Sequence, residues 1–204
     1  MSVRRKGREL ALLLLFALDN VLDADRQEAQ KRFWTLFDQD GMWDAFMAED
    51  PEDLHPLRAP LLCEIFDRHP VITASRPLPS PKLRQIVDFA QERVDGFWGN
   101  KAQVDRRITE ASEGWRIQRI TQVDRNILRL GTYELVFCPD IPGPVAINEA
   151  LELGKRYSSI SSRSFLNGVL DRIFQAKEGK RHKPYKKKPE QDAPLVLRLP
   201  SRKP

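Results

Sequence analysis

The 204-residue sequence has few of the residues that build covalent or metal-bound frameworks. Its only cysteines are Cys63 and Cys138, and neither lies in a Cys-x-x-Cys pair. Two cysteines cannot form a disulfide framework, so we expect buried free thiols in a reducing compartment. The three histidines, His55, His69 and His182, are scattered along the chain. We therefore predict no redox centre, no metal site and no cofactor.

Long apolar runs and catalytic motifs are missing as well. The apolar run at residues 10–18 is too short to span a bilayer, and polar residues without a small-residue cleavage site follow it. We therefore expect a cytoplasmic protein that does not enter a membrane. Residues 123–174 contain no nucleophile next to a base and no glycine loop that could cradle a phosphate. These absences predict that the protein is not an enzyme.

Positive charge is concentrated at the ends of the chain. The net charge is +5, yet residues 177–204 hold ten Lys and Arg against three Asp and Glu, so the rest is slightly negative. This tail has no apolar periodicity in its basic part, and we expect it to be disordered. It is either a solubilising tail or a contact for nucleic-acid phosphates through Lys186, Lys187 and Lys188.

The N-terminal segment reads as one helix from Arg4 to about residue 23, with an apolar stripe at the 3.6-residue period. On a helical wheel Arg4, Arg5 and Arg8 fall within about 100° of one another, opposite that stripe. Positive charge at a helix N-terminus costs about 0.3–1 kcal/mol per group, because it opposes the helix dipole. We expect these guanidinium groups to face solvent, either as a solubilising surface or as contacts for phosphate.

The rest of the body shows helical periodicity and no alternating strand pattern, so we predict an all-α fold. Residues 38–81 interrupt this helical pattern, because they are rich in proline. Between residues 38 and 67 the sequence has nine acidic residues and one basic residue. We interpret this segment as a solvated acidic surface. Thr121 and Asp124 have the spacing of a capping box. Helices are predicted over residues 26–37, 82–98, 101–112, 123–137, 145–157 and 163–174, with short ones near 41–47 and 60–67.

Four segments resemble the NusB family of transcription antitermination factors. They are Val-Asp-Arg-Asn-Ile-Leu-Arg-Leu-Gly-Thr-Tyr-Glu-Leu at 123–135, the run from Pro144 to Tyr157 that contains Ala-Ile-Asn-Glu-Ala, Phe-Leu-Asn-Gly-Val-Leu-Asp-Arg-Ile at 165–173, and the arginine-rich start at 4–11. The resemblance is weak over residues 38–81 and absent after residue 175. It implies a helical RNA-binding domain over residues 1–176, with 38–81 as a divergent insertion and 177–204 as the basic tail.

The resemblance also implies a fold and a function. The fold would be a compact bundle of two small helical subdomains. The function would be to bind the boxA segment of ribosomal RNA transcripts, together with the ribosomal protein NusE, in an antitermination complex on RNA polymerase. Arg4, Arg5, Lys6 and Arg8 match the RNA-contacting start of the family. A further set matches positions typical of the family, and we interpret it as structural, with polar groups paired inside packed helices: Asn148, Glu149, Asn167 and Asp171.

The loop at residues 158–164 departs from the family pattern. The family usually carries an acid near the position of Ser161, whereas this loop has no acid and contains Arg163. Ser161 and Arg163 are therefore candidate loop contacts for RNA. Because an acid would repel phosphate, we predict that RNA affinity is not weaker than is usual for the family.

Two other functions remain open at this point. One is a protein-binding scaffold or homodimer that does not contact RNA directly. The other is the N-terminal type of domain related to ribosomal RNA methyltransferases, which would need a following Rossmann-like domain and a catalytic cysteine. The roughly thirty residues after the helical body are too few for such a domain.

Overall fold

The computed structural model describes residues 2–37, 42–47, 80–112 and 117–179, and within these ranges every regular element is helical. The predicted all-α fold is thus confirmed. None of the described helices is both long enough and apolar enough to cross a membrane. Cys63, the predicted helix near 60–67, most of 38–81 and the tail lysines 186–188 lie outside the described residues. The helices are α1 (Val3–Leu18), α2 (Arg26–Phe37), α3 (Met42–Met47), α4 (Pro81–Ala111), α5 (Gln122–Phe137), α6 (Gly143–Tyr157) and α7 (Ser162–Lys177).

The longest helix, α4, joins two helices that the sequence predicted to be separate. Ser80 caps it, since its hydroxyl accepts a hydrogen bond from the Leu83 amide at 3.2 Å. The break predicted at Gly99 is wrong, because the backbone there stays helical and the Asn100 side chain donates to the Gly96 carbonyl at 2.9 Å. Apolar residues on both sides of this point face one continuous core, so α4 gains burial by continuing.

Helix α4 packs against α1, α5 and α7, and the core lies between these helices. Helices α1, α2 and α3 contact one another in sequence, and α5, α6 and α7 pack against one another. This grouping fits the two small subdomains that the family resemblance implies. Helix α1 runs antiparallel to α5, because Arg8 pairs with Glu134 whereas Asp19 pairs with Arg125. Nearly all of α5 is buried, as its apolar sequence predicted.

A cluster of ion pairs connects the C-terminal end of α1 to α4 and α5. The Arg129 guanidinium donates to Asp105 at 2.8 and 2.9 Å and also pairs with Asp19, which Arg125 contacts as well. Burial alone would lower the pKa of Arg129, but the hydrogen bonds and charges of Asp105 and Asp19 outweigh it and raise that pKa. This cluster fixes the C-terminal end of α1 relative to both neighbours.

The start of α5 positions the loop that precedes α7. The Thr121 hydroxyl accepts a hydrogen bond from the Asp124 amide at 3.2 Å, which is one half of the predicted capping box. The Asp124 carboxylate is used differently: it accepts hydrogen bonds from the hydroxyls of Ser158 and Ser162. Asp124 therefore holds both ends of the loop against α5.

The Tyr133 side chain of α5 packs directly against Gly96 of α4. A Cβ atom there would lie 1.9 Å from the Tyr133 hydroxyl oxygen, and the buried Tyr133 ring stacks on Phe137 and has little room to move. Three residues further on, a Cβ at the exposed Gly99 would meet nothing within 4 Å.

These two glycines give a matched prediction about stability. Gly96→Ala should lower the free energy of unfolding by about 1–3 kcal/mol, because it overpacks the helix contact. Gly99→Ala should raise it by about 0.5–1 kcal/mol, since alanine favours a helix interior over glycine. Urea denaturation of both variants measures the difference. Equal effects of the two substitutions would contradict the close approach at Gly96.

Candidate nucleic-acid interface

The basic start of the chain is held in helical form from its first residues. The Ser2 hydroxyl accepts a hydrogen bond from the Arg5 amide at 3.3 Å, which caps α1. The cap places all four predicted RNA-contacting residues in the first two turns of α1.

Arg8 is buried, with only 5% of its side chain exposed. Its Nε atom lies 3.0 and 2.9 Å from the two oxygens of the Glu134 carboxylate, and Arg93 donates to the same carboxylate at 3.2 Å. The expectation that Arg8 faces solvent is therefore wrong. Its partner is 126 residues away in the sequence, so a helical wheel of α1 alone could not reveal it.

Lys6 is also buried, and it is the most fully enclosed of the four. Its Nζ atom donates to the Phe46 carbonyl at 2.5 Å, lies 3.2 Å from the Glu9 carboxylate and sits 4.6 Å from the centre of the Phe46 ring. Helix α3 thus covers the Lys6 ammonium group. A buried lysine requires such partners, because the charged group loses its water.

Arg4 and Arg5 are the two members of the set that reach the surface. Arg4 is exposed and forms no ion pair within the part of the chain that the structure describes. Arg5 keeps 39% of its side chain exposed and donates to Glu149 through Nε at 3.3 Å and Nη2 at 3.0 Å. That hydrogen bond and the charge of Glu149 raise the pKa of Arg5, so it remains a cation.

Helix α6 connects this end of α1 to the loop at residues 158–161. The buried Glu9 carboxylate accepts hydrogen bonds from Arg156 and from the Tyr157 hydroxyl. Together with the Arg5–Glu149 pair, these contacts lay α6 along the first turns of α1. Helix α6 therefore links the first turns of α1 to the loop that follows Tyr157.

The loop itself borders a shallow cleft with a volume of about 240 Å³. Arg163 and Ser161 are exposed, Ile160 is 84% exposed, and Lys155 is exposed while paired with Glu152. The cleft therefore presents two cations and an apolar side chain to solvent. Its lining residues are Gly154, Lys155, Ser158, Ser159, Ile160 and Arg163.

The polar residues that we interpreted as structural occupy a different environment from the one expected. Asn148, Asn167 and Asp171 are exposed, so their polar groups are not paired inside a packed interior. The exception is Glu149, which is largely buried between Arg5 and Arg8. The sequence signal for its role was the arginine-rich start of α1, whose cations require nearby acids once they are buried.

Comparisons with known proteins agree with the fold. Residues 72–175 match the family described as the NusB family. The chain is 33% identical to the transcription antitermination protein NusB of Myxococcus xanthus (strain DK1622) over 86% of this chain and 97% of that protein. It is 38% identical to the protein of the same name from Geotalea uraniireducens (strain Rf4), over 85% and 94%. A solved structure of T. maritima NusB, 30% identical, superposes with a TM-score of 0.52 over 84% of this chain and 90% of that one.

The shared carboxylate gives a prediction about stability. Glu134→Gln would leave Arg8 and Arg93 buried without their common anion, so we expect the free energy of unfolding to fall by about 3–5 kcal/mol. Glu152→Gln is the control, because it breaks an exposed pair with Lys155 and should change stability by less than about 1 kcal/mol. Chemical denaturation of both variants tests this. Similar losses in both would show that Glu134 is not the anchor of α1.

Proposed function

The chain belongs to the NusB family of transcription antitermination proteins, and we propose that it binds boxA-type RNA in ribosomal RNA transcripts together with the ribosomal protein NusE. Membership in this family confirms the prediction of a non-enzymatic transcription factor. The RNA target, the NusE partner and the assembly on RNA polymerase are the proposed part. A role on nascent transcripts implies a cytoplasmic location.

The observation that carries the proposal is that α6 contacts the start of α1 and leads directly into the loop that borders the cleft. Arg4 and Arg5 on α1 reach the surface next to α6, and Lys155 and Arg163 are exposed beside the loop. Guanidinium groups suit phosphate because they present several donors in a planar fork. The exposed Ile160 adds an apolar contact next to these cations.

The burial of Lys6 and Arg8 limits what this surface can do alone. Two of the four basic residues of α1 have internal carboxylate partners, so fewer cations are available to neutralise phosphates. Affinity from phosphate contacts increases with their number. We therefore infer that a second protein extends the surface, which supports the proposed partnership with NusE. The tail residues Lys186, Lys187 and Lys188 could add phosphate contacts, and that part of the proposal rests on the sequence alone.

Arg4 provides the cleanest test of RNA contact, because its removal breaks no ion pair among the residues that the structure describes. Arg4→Gln should weaken boxA RNA binding about fivefold and reduce the slope of log affinity against log salt by about 0.7, as expected for one lost contact to single-stranded RNA. Fluorescence anisotropy with NusE present, at several salt concentrations, measures both.

The matched control is Arg106→Gln. Arg106 is exposed and follows Asp105, which lies near the C-terminal end of α1 through Arg129 and Asp19. Its ion pair among the described residues is a long surface contact to Glu110. The Arg106→Gln substitution removes the same charge as Arg4→Gln, and it should leave the affinity for boxA RNA unchanged within about twofold. If Arg4→Gln and Arg5→Gln together left binding intact while the fold was preserved, the proposed interface would have to be abandoned. Binding of NusE without any binding of RNA would favour the scaffold alternative.

Ser161 tests the contribution of the loop. Ser161→Asp should weaken boxA binding about two- to fivefold, because it places an anion near Arg163 where phosphate would approach. The substitution should not harm the fold, since Ser161 is exposed and an acid is favourable at the start of α7. The same anisotropy measurement applies. Unchanged or tighter binding in Ser161→Asp would exclude the loop from the interface.

A further inference from the structure

A row of ion pairs leads from the core to the surface at the start of α1. Glu134 pairs with Arg8, Arg8 contacts Glu149 at 3.5 Å, and Glu149 pairs with Arg5. The exposed fractions of these four side chains rise in that order, from 1% through 5% and 14% to 39%. Each group is thus fixed by a more deeply buried one, and Arg5 is the last member.

Glu149 contacts Arg5 from the side, which leaves part of the guanidinium free. The carboxylate occupies Nε and one hydrogen of Nη2. A guanidinium has five N–H donors, so three have no partner among the described residues, including both on Nη1 at the opposite edge. A freely rotating arginine would have to be ordered when it binds, and that ordering costs entropy. Here the plane of the group is already set before a ligand arrives.

Two effects of Glu149 on RNA binding have opposite signs. Its negative charge lies beside a surface that phosphates would approach, so charge alone should weaken binding. Its contact with Arg5 holds the guanidinium in one orientation, which should strengthen binding. A carboxylate that served only to neutralise Arg5 would lower RNA affinity, and its removal would raise it.

We propose that Glu149 is a positioning residue for RNA recognition, which holds the outer edge of Arg5 toward a phosphate of the transcript. This inference rests on the proposed function. The inference goes beyond the proposed function, because it assigns a favourable role in anion binding to an acidic residue that does not itself contact the anion. The orientation comes from the buried Glu134–Arg8 pair through Glu149.

A double-mutant cycle on Glu149 and Arg5 tests the inference with boxA RNA and NusE. Glu149→Gln should weaken RNA binding about three- to tenfold although it removes a negative charge. In the Arg5→Gln background the same substitution should not weaken binding, because no guanidinium is left to position. Glu152→Gln is the control: it removes an acid one turn further along α6, and binding should be unchanged or tighter.

The outcomes separate this inference from the proposed function. If Glu149→Gln tightens binding as Glu152→Gln does, Glu149 is only a counter-ion and the inference fails while RNA binding stands. If the weakening persists in the Arg5→Gln background, Glu149 acts on the fold and the inference also fails. If the unaltered protein with NusE does not bind boxA RNA, both fail. Glu149→Asp is the second variant, because its shorter side chain keeps the charge but cannot reach both nitrogens, and it too should weaken binding.

Discussion

The arrangement of this molecule depends on one buried carboxylate, that of Glu134, which Arg8 and Arg93 share. Removing three charges from water is costly, and the cost is recovered only when distance and direction are both favourable. The cluster therefore permits one register of α1 against α4 and α5. The Asp19, Arg129 and Asp105 cluster imposes the same condition at the other end of α1. Apolar packing lies between these two clusters. If α1 slid or rotated, a buried charge would lose its partner, so both movements are unfavourable.

This constraint determines what the surface can offer to a ligand. The arginine-rich start looks like a strong cationic patch in the sequence, but Lys6 and Arg8 are neutralised inside the protein. The remaining exposed cations are few, and binding must rely on where they are held. In the proposed function, a body whose net charge is slightly negative would bind RNA on these terms, because a fixed guanidinium loses less entropy on binding than a mobile one.

The sequence predicted the elements that bury an apolar face and missed the features that depend on distant partners. Helices α5 and α6 were predicted to within two residues of their observed ends, because their periodicity is set by packing. The continuity of α4 was missed, since Gly99 resembles a helix cap locally while the shared core favours a straight helix. The burial of Arg8 was missed for a similar reason: its partner Glu134 belongs to another helix, and only the tertiary fold brings the two together.

The placement of acids explains how a helical bundle can present a basic surface without being basic throughout. Glu134, Glu9 and Asp124 are all buried, and each one holds a group that lies nearer to solvent. Glu134 holds Arg8, Glu9 holds Arg156, and Asp124 holds the serine hydroxyls at both ends of the loop. Arg156 and the loop serines lie nearer to solvent than the carboxylates that hold them, so in the proposed interface these groups would lie between the buried acids and an approaching phosphate. In that proposal the buried acids help to build the interface, because they orient the groups above them.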